Sequence, residues 1–291
     1  MLTLGTVIFL FETVAFIAFG MLFIRAMLQK HFVQAGEMVS ALIFGWLLEM
    51  LDMHIWGTYH YASGFISIFG VPLAISCAWA IVAHSAMRLS DAYPLSSRVR
   101  PLLDALIAVN LDIAMDPVAS KLGLWVWTSP AAAHGWYGVP IDNFFGWVAA
   151  VASFSYVARY IRTINFRTWR ARLAYFASPF LSYVGLYIGI VIFWFVTATV
   201  QTSIFIFMSI IVLMVALMVW SLHSRKRRHV GKLDAFSFIS LVGAHVFFIL
   251  IATLTGVYTA VPILLVGSLT ALFVQCGLYL YQANRRPLLK R

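Results

Sequence analysis

The sequence predicts an all-α, polytopic membrane helix bundle of about nine transmembrane helices, with the N-terminus out and the C-terminus in. Three observations carry that reading. The 291 residues are 63% hydrophobic and only 10% charged, with a mean hydropathy of +0.93, which excludes an ordinary water-soluble chain. Nine continuous apolar runs are each long enough to cross a hydrocarbon core of about 30 Å. All but one of the Lys and Arg residues, Lys121, fall in alternate connections, as cytoplasmic basic residues do.

The runs cover 4–24, 37–56, 66–87, 101–122, 141–161, 174–197, 201–222, 235–256 and 260–281. The first carries Glu12 and lacks a basic leader, so it reads as a retained span. Continuous runs of this length are helices, because barrel strands would be short and alternating. Arg25 and Lys30 follow span one, Arg88, Arg98 and Arg100 span three, and Arg159, Arg162, Arg167, Arg170 and Arg172 span five. Arg225, Lys226, Arg227, Arg228 and Lys232 follow span seven, and Arg285, Arg286, Lys290 and Arg291 follow span nine. The chain is read as one membrane domain, 1–291, with a motif-bearing core at 37–161 and less characteristic spans at 174–281.

The net charge of +10 is therefore a topology signal, with anionic lipid contact as an addition. It does not point to nucleic acid, since the basic residues share no face with stacking aromatics. Cys77 and Cys276 both lie in apolar runs and support neither a disulfide framework nor a thiolate metal site.

Two segments resemble each other. Glu49 and Asp52 are followed by Trp56, Gly57, Tyr59 and Tyr61, then Phe69-Gly70-Val71-Pro72 and Trp79. Asp112 and Asp116 are followed by Trp125, Trp127 and Trp136, then Tyr137-Gly138-Val139-Pro140 and Trp147. Both units run inside to outside and back, as a parallel repeat about an axis along the membrane normal would. Shared hairpin chemistry also fits, with Gly making the turn and Pro starting the returning helix.

Glu12, Glu49, Asp52, Asp112 and Asp116 lie within spans, where ionisable groups usually mark a site or pathway. At 1.5 Å per residue Asp112 falls near mid-membrane and Asp116 about 22 Å in. Asp112 and Asp116 are i, i+4 and share a face with Asp104, while Glu49 and Asp52 are i, i+3. Two carboxylates so close in a low dielectric cannot both ionise cheaply, so one holds a proton near neutral pH, and a neutral acid beside an ionised one is acid/base equipment. Interhelical hydrogen bonds or a proton path use the same residues. For the aromatics at this end, an interfacial belt is the ordinary reading, and stabilisation of a carbocation by their π faces the sharper one.

The eight histidines, at 31, 54, 60, 84, 134, 223, 229 and 245, contain no pair three or four apart, which excludes the membrane di-iron oxygenases. His54 stands near Glu49 and Asp52 but reads as a hydrogen-bonded structural residue, and mid-span His245 as packing. No metal and no cofactor are expected.

The string Asp112-Ile-Ala-Met-Asp116-Pro117, then Gly123-Leu-Trp125-Val-Trp127, Tyr137-Gly138-Val139-Pro140, Asn143 and Gly146-Trp147 resembles the integral-membrane carotenoid biosynthesis family that includes carotenoid 1,2-hydratases and bacterioruberin hydratases. Glu49, Gly57-x-Tyr59-x-Tyr61 and Gly70-Val71-Pro72 are similar to its upstream pattern, so the resemblance spans about residues 45 to 150. Ile55-Trp56-Gly57 stands where the family carries Pro-Phe-Gly, and Asp142 replaces an apolar or aromatic neighbour of Asn143.

The resemblance implies addition of water to a terminal isoprenoid double bond of an acyclic carotenoid, in a multi-pass protein of a prokaryotic cytoplasmic membrane that contacts other pigment-synthesis enzymes. It implies Asp116 or Asp112 as proton donor, with the partner or Glu49 ionised to steady the cation and deprotonate water. Asn143 orients that water, and Asp52, Tyr59, Tyr61, Trp125, Trp127 and Tyr137 bind substrate. Three other readings are weighed. A nine-span prenyltransferase matches Asn110-x-Asp112-x-x-x-Asp116 in part but needs magnesium and two such motifs. A proton-coupled carrier suits the intramembrane carboxylates, although no span is broken at its midplane by Gly and Pro together. A structural partner in a pigment-synthesis complex would need no chemistry.

Overall fold

The computed structural model describes residues 2–164, 169–200, 203–223 and 231–289. In chain order the helices are α1 (Leu4–Leu28), α2 (Phe32–Leu51), α3 (Leu73–Asp91), α4 (Arg100–Leu122), α5 (Ile141–Ile161), α6 (Trp169–Val200), α7 (Ser203–His223), α8 (Ala235–Thr255), the four-residue α9 (Val257–Ala260) and α10 (Pro262–Leu289). A π turn, Asp52–Trp56, extends α2. Four short strands, β1 (Tyr59–Tyr61), β2 (Ser67–Ile68), β3 (Val71–Pro72) and β4 (Trp125–Trp127), lie in the connections at one end. We call this the strand end and the opposite one the arginine end.

Eight of the helices are long and apolar enough to cross a membrane. The ninth long helix, α4, is of similar length but carries Asp104, Asp112 and Asp116 on its buried face. It packs against α3, α5, α8 and α10, so lipid does not meet its carboxylates. Alanines make the close approach possible: Ala74, Ala80, Ala83 and Ala86 of α3 and Ala105, Ala108 and Ala119 of α4 are all buried, as expected where van der Waals contact drives helix association. The outward faces of α6 and α7 present Phe176, Phe195, Phe205 and Trp220, which suit hydrocarbon.

Two sequence expectations change. The third span begins at Leu73 rather than 66, because Ser67–Ile68 pairs with Val71–Pro72 in a hairpin whose two turn residues, Phe69 and Gly70, take φ of 52° and 77°, the geometry of a two-residue hairpin turn. The ninth starts at Pro262, since Gly256 with φ 82° ends α8 and sets α9 apart.

At the arginine end a buried ionic layer ties the helices together. Arg162 donates to Glu37 and to Asp91 at 2.8 Å, and Arg159 to Asp91 and to Asp104 at 2.9 Å. Arg25 donates to Asp234 at 2.7 Å. Asp104, grouped by sequence with Asp112 and Asp116, thus belongs to this layer and is also held by Ser155. Glu12 accepts the Ile66 backbone N–H at 2.7 Å, so its carboxylate anchors a loop. Arg167, Arg225, Lys226, Arg227, Arg228, Lys290 and Arg291, used to orient the chain, lie outside the described residues.

Candidate active site

The two similar segments meet at the strand end. β1 and β4 pair antiparallel, with Tyr59 opposite Trp127, His60 opposite Val126 and Tyr61 opposite Trp125. Successive strand residues point to opposite faces, so Tyr59, Tyr61, Trp125 and Trp127 form one row facing the bundle while His60 and Val126 face away. For these four aromatics the belt reading gives way: each uses its polar atom on a carboxylate inside.

Glu49 accepts from Tyr59, from Tyr61 at 2.6 Å and from the Trp79 indole at 2.7 Å. Asp116 accepts from Trp125, from Trp127 at 3.3 Å and from the Asn143 amide at 2.7 Å. The two cradles are built alike. Each strand follows a glycine in the left-handed region, Gly57 at φ 58° and Gly123 at φ 75°. Each returning helix follows the same turn, Phe69-Gly70 or Tyr137-Gly138, with both residues at positive φ. Glu49 lies eight residues before its glycine and Asp116 seven before its own; the π turn in α2 absorbs the extra residue. Glu49 and Asp116 are therefore positional counterparts, as are Trp79 and Trp147, which stack with ring centroids 4.3 Å apart.

Asp112 differs from both. Its Oδ2 accepts from Asn143 at 3.0 Å, while its Oδ1, fully buried, has no hydrogen-bond partner among the described residues. Asn143 spans the two aspartates with one amide nitrogen, so the carboxyl groups that sequence could only place on one helix face do meet across a single side chain. Burial and the adjacent Glu49 push the Tyr59 and Tyr61 phenols well above their ordinary pKa, so both remain donors.

Two adjoining cavities open onto these groups. The smaller, about 60 Å³, is lined by Glu49, Asp112, Asp116 and the aromatic row. The larger, about 200 Å³, shares Glu49, Tyr59, Trp127 and Asn143 with it and extends past Asp52 and Asp142 to the aromatics of α6. Among the described residues no Lys, Arg or His lines either space, an environment that favours a positive charge. Asp52 accepts from Thr58 at 3.0 Å and faces the larger cavity.

Tyr137 lines neither space; it rests edge-on against Trp136 at 4.9 Å. Trp136 has a structural task. Pro117 lacks the N–H that would bond the Ile113 carbonyl, and the Trp136 indole donates to that carbonyl at 3.3 Å. His54 is exposed, with Nδ1 against the Met50 carbonyl. Among the described residues no three His, Cys, Asp or Glu side chains are arranged to hold a metal ion.

Sequence reasoning passed over Trp79, although its place seven residues after Pro72, matching Trp147 after Pro140, is visible in the repeat. It also passed over Tyr187, Phe193 and Trp194, which line the larger cavity from α6; nothing in an all-round apolar helix distinguishes them from lipid-facing residues.

The sequence profile of a family described as carotenoid biosynthesis protein matches residues 5–217. No curated protein and no solved structure matches the chain. The matched stretch contains α1 to α6, both cradles and both cavities.

Proposed function

Because this chain belongs to the carotenoid biosynthesis protein family, we propose that it is a membrane-embedded hydratase that adds water to a terminal double bond of an acyclic carotenoid, with Asp112 as the acid. The observation that carries the reading is the unpartnered Oδ1 of Asp112 beside two carboxylates that each accept three donors. Ionised carboxylates are the acceptors that such donor sets suit, so Glu49 and Asp116 are the anions and Asp112 carries the proton. A neutral acid facing an apolar cavity flanked by fixed negative charge is the arrangement needed to protonate an alkene.

The Asp112 carboxyl gives its proton to the less substituted alkene carbon; the π pair forms the new C–H bond and leaves a tertiary cation. Glu49 and Asp116, with the π faces of Trp127 and Tyr59, steady that cation. Water, oriented by Asn143, attacks the cation, and Asp116 takes the water proton as the C–O bond forms. Asp112 is then ionised and Asp116 protonated. Proton transfer between them across the site restores the start, so the cycle closes with no redox change and no cofactor. The arginine end faces the cytoplasm in this reading, and the carboxylates lie in the outer half of the membrane.

The test is expression in a host that accumulates lycopene, with extraction and mass spectrometry of the pigments. A product heavier by one water with the native chain, missing with Asp112→Asn, is the expected result. Absence of any hydrated product from several acyclic carotenoids, with the protein folded in the membrane, would overturn the hydratase assignment.

A further inference from the structure

We infer that the substrate reaches the carboxylates sideways from the hydrocarbon, through an aromatic gate formed by Trp56, Tyr187 and Trp194, and that only its end group enters. The identity of the substrate rests on the hydratase reading; the gate rests on geometry.

Size makes the first case. At about 30 Å³ for a group the size of a water molecule, a space of about 200 Å³ holds roughly seven such groups. That is the end of an isoprenoid chain, and a long polyene must leave most of its length outside. The place where that length can lie is set by the walls. The larger cavity is lined by Asp52, Thr58, Ser129 and Asp142, polar groups on the loops and helix ends, with Asp142 hydrogen-bonded by the Trp194 indole of α6. It is also lined by α6, whose neighbouring side chains Ile188, Ile192 and Phe195 are exposed on the outside of the bundle, where a chain left outside the cavity can lie.

Contacts make the second case. Trp56, at the end of the π turn, stacks on Tyr187 with centroids 6.4 Å apart and meets Trp194 edge-on at 5.2 Å. These three rings bridge the π turn and α6 at the strand end. Each lines the cavity and is still 43%, 41% and 38% exposed, respectively, so each has one side on the cavity and one on the surroundings. Rotation of these side chains, which for Trp194 breaks its hydrogen bond to Asp142, opens the path, and flat aromatic faces suit a conjugated chain.

The test uses a photo-reactive benzoylphenylalanine at position 187 or 194 of the full chain in membranes, with positions 176 and 273 as lipid-facing controls. Each is placed in the native and in the Asp112→Asn background. The membranes contain lycopene or a carotenoid with rings at both ends, and adducts are quantified by mass spectrometry. The expected result is a lycopene adduct at 187 and 194 about tenfold above the controls, a preference of ordinary binding size, retained in Asp112→Asn and absent with the two-ringed carotenoid. Equal labelling at all four positions would overturn the gate, and equal labelling by both carotenoids would overturn an acyclic end group as what enters it. Lycopene adducts at the gate with no hydrated product would leave the gate standing and remove the hydratase; product without gate adducts would do the reverse.

Discussion

Replacing Asp112 by Asn separates the acid from the fold. Asp112 makes one hydrogen bond, from Asn143 at 3.0 Å, and an asparagine carbonyl oxygen accepts it equally well. The amide nitrogen then occupies the place of Oδ1, which has no partner among the described residues, so no donor elsewhere is orphaned. The expected stability change is within about 1 kcal/mol, the net size of one ordinary hydrogen bond. The chemical loss is larger. A positioned general acid contributes about 10²–10⁴ in rate, equivalent to about 2.7–5.4 kcal/mol of barrier. The assay is the ratio of hydrated to unhydrated carotenoid in extracted membranes, normalised to the amount of folded protein, with the thermal unfolding midpoint in detergent measured beside it. A midpoint close to native with conversion reduced by about 100-fold or more is predicted. Conversion within about threefold of native would refute the assignment, because no amide can replace a carboxylic acid in protonating an alkene.

The other substitutions are expected to separate the remaining roles. Asp116→Asn and Glu49→Gln each place an amide N–H2 against buried donors that face both oxygens, at about 1–3 kcal/mol for each donor left unsatisfied; both lose product and, unlike Asp112→Asn, lower the unfolding midpoint. Gly45→Ala puts a Cβ 2.4 Å from the Cβ of Trp79, so it is predicted to cost about 1–3 kcal/mol as overpacking does and to perturb the Trp79–Trp147 stack, visible in near-ultraviolet circular dichroism. Asp234 has a depressed pKa: burial would raise it, but Ser237, Arg25 and Arg88 outweigh that. A depressed carboxylate stabilises the fold above its unfolded pKa of about 3.9 and loses that stabilisation as pH falls through the folded value. Unfolding midpoints measured downward from pH 5 should therefore fall in the native chain below about pH 4, and the part of the fall due to this group should be missing in Asp234→Asn.

The spans were legible because a membrane forces long apolar runs, and α4 was counted despite its three aspartates as one of nine such runs, a count then tested against the alternation of the basic residues. The turn at Gly70 and the helix start at Pro72 were read from the residues, but the strand pairing at 67–72 was not, since Ile68, Phe69 and Val71 are as apolar as the helix they precede. The pairing of β1 with β4 had no local signal: each strand is three residues long, and the partners lie in different connections. That pairing turns Tyr59, Tyr61, Trp125 and Trp127 inward, so an aromatic belt and a donor row could not be told apart beforehand. The repeat itself was visible, but its register was not. Read as i, i+3 and i, i+4 pairs, Glu49 with Asp52 looked like the counterpart of Asp112 with Asp116; the π turn shifts α2 by one residue, and Glu49 matches Asp116 alone.

The corrected register also bears on the proposed mechanism, which needs one acid rather than two. Counting back four residues from the paired carboxylates, Asp112 in α4 corresponds to Gly45 in α2; counting three forward from Pro140 and Pro72, Asn143 corresponds to Ile75. In the first unit the absent side chain at Gly45 admits Trp79, whose Cβ and ring edge come within 2.4–2.8 Å of where a Cβ would stand, and the indole supplies the third donor to Glu49. In the second unit Asp112 and Asn143 fill the equivalent space, and Asn143 supplies the third donor to Asp116 instead. One exchange of residues thus does two things. It satisfies each anion with three donors, and it adds, on one side only, a carboxyl oxygen with no donor beside it. In the proposed mechanism two equal cradles would present equal anions to the cavity and have no proton to give, and the departure from symmetry at positions 45, 75, 112 and 143 would supply the acid next to the bases.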